Sequence, residues 1–126
     1  MTPEDFPKLF ATAFAAQNSV ALVAMMALDA QVVSLTGGLA EDAAQAGRIF
    51  DQEFAGIFVA ARLITGRNRM QALGPGGAVV HQRYVVMGAR NESGREVPRF
   101  GVVATAVLLA TAEGWRAISL TLSALT

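Results

Sequence analysis

Leu73 to Gly88 reads LGPGGAVVHQRYVVMG, a turn followed by a strand, and the organisation of the chain follows from it. In Gly74-Pro75-Gly76-Gly77 the glycines open backbone angles closed to other residues and the proline presets φ, which is turn chemistry. Behind it, Ala78 to Met87 carries the β-branched and aromatic residues of a strand. The pattern repeats toward the C-terminus: a polar loop in Ala89 to Gly94, a strand at about Val97 to Thr111, a Glu113-Gly114 turn, and a strand from Trp115 to Leu125. A further strand, about Arg62 to Ala72, precedes the turn. Four strands joined by short connections make an antiparallel meander.

The N-terminal half is helical. Thr2-Pro3-Glu4-Asp5 is a helix start, with Thr2 as N-cap, Pro3 at the first helical position and Asp5 placed like the acid of a capping box. Phe6, Leu9, Phe10, Ala13 and Phe14 then recur at helical spacing. Ser19 caps a second helix through Val20, Val23 and Met26 to about Leu28, Gln31 to Leu35 forms a short strand, and Thr36-Gly37-Gly38 turns the chain. From Glu41 to about Ala61 a third helix puts Ala43, Ala46, Phe50, Phe54, Ile57 and Ala61 on one stripe. Helices first and strands after them define an α+β domain, three helices packed on one face of a curved, mostly antiparallel sheet.

With 126 residues the chain is sized for one domain, residues 1–126, and at 53% hydrophobic and 16% charged it can close a core. No apolar run reaches the ~18 residues of a membrane span, and the N-terminal stretch lacks the basic start and apolar core of a signal peptide. With no cysteine, the expectation is a cytoplasmic protein. Charge is unevenly spread: residues 1–61 hold two basic residues against seven acids, net −5, and residues 62–126 hold eight arginines against three acids, net +5. This division fits acidic helices beside a sheet with basic margins, or an anion-accepting pocket in the second half. Nucleic acid is not an expected partner, because the arginines are not interleaved with exposed aromatics.

Several chemistries lack their residues. One histidine, no cysteine and acids off ligand spacing give no metal site. Ser34, Ser119 and Ser123 have only His81 as a base and no nucleophile-elbow pattern. Gly74 to Gly77 does not open a helix in a βαβ unit, so neither a phosphate loop nor a dinucleotide fingerprint is present, and no cofactor is expected.

Three stretches carry a family resemblance: Leu28 to Gly38 (LDAQVVSLTGG), Leu73 to Gly88, and Thr111 to Thr126 (TAEGWRAISLTLSALT). With the order of elements, they resemble the NTF2-like superfamily, in particular its SnoaL-like and DUF4440 (SgcJ/EcaC-type) small proteins. The resemblance implies a cone-shaped, cystatin-like fold enclosing an apolar pocket. Ketosteroid isomerase, in the same superfamily, uses an aspartate base with a tyrosine and a protonated aspartate as oxyanion donors. Those positions fall here on Ser34, Phe10 and, within a residue, Ala106. An unassisted serine does not take a proton from carbon, and neither phenylalanine nor alanine can donate to an oxyanion. Steroid-isomerase chemistry by that mechanism is therefore not expected.

By the resemblance, His81 lies on the pocket-facing row of its strand; period-two alternation adds Arg83 and Val85 and sends Val80, Gln82 and Tyr84 to the other side. His81 and Arg83 then form a polar pair for a carboxylate or enol oxygen. The alternative is a satisfied histidine and an arginine at the sheet margin. Phe10, Phe14, Met26, Ser34, Phe54, Phe58 and Ala106 complete the implied lining, with Trp115 and the Met25-Met26 pair serving either core or pocket. Three functions follow: binding of a small apolar or anionic molecule, a SnoaL-like enzyme with His81 as general acid or base, or a non-catalytic dimerisation module. Val102 to Ala110 is apolar on both faces, which calls for cover on its second face, so a homodimer through the sheet is expected.

Overall fold

The structure is a computed structural model that describes residues 1–125; Thr126, the last residue of the C-terminal motif, lies outside them. Among the described residues the order is α1 (Phe6–Ala15), α2 (Ser19–Ala24), β1 (Met26–Val33), β2 (Leu39–Ala40), α3 (Ala43–Ala55), β3 (Arg62–Ala72), β4 (Gly77–Met87), β5 (Phe100–Thr111) and β6 (Gly114–Ala124). The strands form one sheet in the order β2-β1-β6-β5-β4-β3. The meander β3 to β6 is antiparallel throughout, and β1 joins β6 in parallel, so the sheet is mixed.

Several boundaries differ from expectation. Thr2 does not cap a helix: Pro3 to Asp5 is a turn, in which the Asp5 carboxylate accepts from the Thr2 amide (2.9 Å) and hydroxyl (3.0 Å), and α1 starts at Phe6. The second helix is capped by Asn18, whose side chain accepts from the Ala21 amide, and it stops at Ala24. Met26 to Leu28, good helix formers, are instead the front of β1, because that segment lies beside β6 and tertiary pairing overrides a weak local preference. Asp42 caps α3 through the Gln45 amide, and Gly56 ends it well short of Ala61.

The connection from α3 to β3 folds back over the end of β4. Gly88 makes the approach possible: its φ is +82°, and a Cβ there would stand 2.5 Å from the Ala60 carbonyl oxygen.

Strand alternation fixes two faces. One row runs through Ala78, Val80, Gln82, Tyr84 and Val86 on β4 and Val102, Ala104, Ala106 and Leu108 on β5, and it is buried in the core. The other carries Val79, His81, Arg83 and Val85 opposite Val107, Thr105, Val103 and Gly101. In β6 a bulge at Ile118 switches parity, so Ala117, Leu120 and Leu122 are buried and Ile118 is not.

Candidate functional site

Phenylalanines fill the space between helices and sheet. Phe6, Phe10 and Phe14 project from α1, Phe50 and Phe54 from α3, and Phe58 from the turn after it; all are buried. Phe14 is the hub, with ring centroids 6.2 Å from Phe10, 5.2 Å from Phe54 and 5.4 Å from Phe58. Phe10 also stacks on Tyr84 at 6.1 Å. The alanines of the facing row, Ala104, Ala106 and Ala117, are fully buried members of the same core, small where the helices are large.

Phe10, Phe14, Phe54, Phe58, Met26 and Ala106, the implied lining of a pocket, are all buried members of the one core. The expected sides of β4 are exchanged. His81 and Arg83 are exposed on the outer face, and Val80, Gln82 and Tyr84 point at the helices. The period of two was legible, but it does not say which row is inside. His81 Nδ1 lies 3.3 Å from the Thr105 hydroxyl, on the far side of the sheet from the core, so it cannot serve as acid or base inside the cone.

Two buried polar groups hold inner positions instead. The Tyr84 phenol donates to the Pro7 carbonyl oxygen at 2.6 Å, and burial pushes its pKa well up. Gln82, 1% exposed, has its amide nitrogen within 3.2 Å of the carbonyl oxygens of Gly66, Arg67 and Arg83, and its oxygen accepts from Asn68 at 2.8 Å. It clasps the bulge of β3 between Thr65 and Asn68.

Ser34 sits apart from the rings at the end of β1, buried beside α3. Its hydroxyl oxygen accepts from the Gly38 amide (3.1 Å) and lies 3.2 Å from that of Thr36, which donates to the Glu53 carboxylate at 2.6 Å. Since Thr36 has one proton and gives it to Glu53, the Ser34 proton points to Thr36. A carboxylate thus stands two hydrogen bonds from the Ser34 hydroxyl. Glu53 was missed, although an acid three residues after Phe50 on the apolar stripe of α3 is a legible sign of a buried charge.

An open cleft of about 270 Å³ lies at the end of the cone where Thr2, Pro3 and Glu4 meet Met70, Ala72, Pro75, Ala78 and Trp115. Trp115 is partly exposed there, whereas Met25 and Met26 are buried. Among the described residues no three His, Cys, Asp or Glu side chains gather as a metal-binding group, and no helix is long and apolar enough to cross a membrane.

No protein-family model matches the chain, and no curated protein matches it in sequence. Solved structures do match in fold. An uncharacterized protein with a cystatin-like fold from Caulobacter vibrioides superposes with a TM-score of 0.87 at 15% identity, over 98% of this chain and 87% of the other. An NTF2-like protein with a cystatin-like fold from Novosphingobium aromaticivorans gives 0.75 at 18% identity, over 97% and 80%. A Xanthomonas campestris structure named "Putative calcium/calmodulin dependent protein kinase II association domain" gives 0.81 at 15% identity, over 97% and 84%. The chain has the cystatin-like fold of the NTF2-like proteins.

Proposed function

We propose that this chain works as a homodimeric association domain, with two copies joined through the outer face of the sheet at β5 and β6. The observation that carries the reading is the outer row of β5. Val103, Thr105 and Val107 stand partly exposed beside Ser123, Thr121 and Ser119 of β6, with Arg83, His81 and Val79 opposite them on β4, while the helices occupy the other face. Small side chains across β5 and β6 on an uncovered sheet face suit a self-complementary contact about a two-fold axis. The ring-filled interior supports the same reading, because it makes the cone a stiff backing for that face. So does the name of the Xanthomonas neighbour, an association domain. Val107→Glu would bury a charge in the contact and leave the core untouched. The expected result is a folded monomer by native mass spectrometry and an unchanged far-ultraviolet spectrum; a persistent dimer contradicts the reading.

The cleft at the cone mouth favours a second reading, small-molecule binding. Met70, Pro75 and Trp115 give it an apolar wall and Glu4 its single charge, which suits an apolar ligand with a cationic group. Trp115 is the only tryptophan, so a bound ligand would shift its fluorescence. An unshifted spectrum across apolar amines contradicts this reading.

A further inference from the structure

We infer that the outer face of the β3–β4 hairpin is a binding site for a small doubly charged oxyanion, a phosphate ester or a dicarboxylate. Arg67, Arg69, His81 and Arg83 line one groove of about 360 Å³ with Asn68 and Val103, and no carboxylate is among its lining residues. All four side chains are exposed.

Their arrangement is costly for a sheet. The β3 bulge sets Gly66 and Arg67 opposite Arg83, so two arginines share one position of the strand pair. Like charges facing one another across a strand pair destabilise it. The bulge also creates the cluster. Thr65 pairs with Tyr84 on the inner row, and unbroken alternation would carry Arg67 and Arg69 inward with it. The extra residue switches parity, so Asn68, itself exposed, pairs with Gln82 while Arg69 pairs with His81 and Arg67 falls beside Arg83. A buried amide, Gln82, holds that switch through its contacts with the Gly66 and Arg67 carbonyls and with Asn68.

Charge on an edge strand protects against edge-to-edge pairing. That purpose needs charges on β3 alone, and explains neither Arg83 on β4 nor the parity switch that gathers three guanidinium groups. Guanidinium forks match the oxygens of phosphate and carboxylate, and a dianion relieves repulsion among three of them better than a monoanion.

The test is titration of the intact protein with phenyl phosphate, malonate and, as monoanion control, acetate at constant ionic strength, read by NMR on arginine side-chain N–H signals. Saturable shifts of Arg67, Arg69 and Arg83 are expected with at least one dianion, and the stronger of the two names the source. Arg83→Gln and Arg67→Gln should each weaken binding about tenfold, one charge-assisted hydrogen bond's worth, and Arg95→Gln, outside the groove, should not. Without ligand, both groove variants should melt at or above the wild-type temperature. No saturable binding of either dianion, equal weakening by Arg95→Gln, or a groove variant that melts lower or dissociates the dimer overturns the inference.

Discussion

The Tyr84 hydroxyl donates to the Pro7 carbonyl oxygen at 2.6 Å, tying the middle of β4 to the first turn of α1 across 77 positions of sequence. Both partners are buried, so the bond fixes α1 over the sheet where Phe10 stacks on the tyrosine ring. Tyr84→Phe keeps the ring and removes the bond. It should cost about 1 kcal/mol in urea unfolding, the usual net worth of a hydrogen bond.

The same tyrosine gives a pH dependence with a definite sign. Burial raises its folded-state pKa above the unfolded value of about 10. Between those two values the unfolded chain gives up the proton and the folded chain keeps it. Its contribution is therefore fully present below pH ~10 and lost as pH rises from there, by up to about 1.4 kcal/mol per pH unit. As Tyr84 is the only tyrosine, tyrosinate absorbance should appear together with unfolding. In Tyr84→Phe this contribution to the alkaline slope should be absent.

Thr36 supplies the hydroxyl that satisfies Glu53, which is 5% exposed. Thr36→Val removes that donor and should destabilise by about 1–3 kcal/mol, the cost of an unsatisfied buried acceptor. Glu53→Gln retains an acceptor and should cost less. A valine variant as stable as wild type in chemical denaturation would show that the link from the β1–β2 turn to α3 is idle.

If the cone is filled by rings, truncating the hub should be the most damaging of the aromatic changes. Phe14→Ala removes the ring that meets Phe10, Phe54 and Phe58 and should cost about 3–5 kcal/mol. The void would be apolar and dry, so benzene should partly restore the melting temperature.

Much of the fold was legible because its turns are chemically marked. Gly74 to Gly77, Asn91 to Gly94 and Glu113-Gly114 bracket the strands, and β3 runs from Arg62 to Ala72 as read. What local sequence could not give was set by neighbours in space. Met26 to Leu28 has a helical composition and becomes strand beside β6. The side of β4 was the costlier error: a polar pair, His81 and Arg83, fits a pocket wall as well as an exposed face, and one residue of register separates them. Gln82, read as outward, is inside because the β3 bulge supplies its partners, and such a bulge leaves little trace beyond the glycine at position 66.

The proposed second copy covers the outer rows of β5 and β6 and leaves the β3–β4 hairpin open. Sedimentation equilibrium of the purified chain over a wide range of concentration tests this most directly. A species of twice the 13.2 kDa chain mass, reduced to single mass by Val107→Glu, is the result the account requires. A wild-type chain that stays at single mass at every concentration contradicts it.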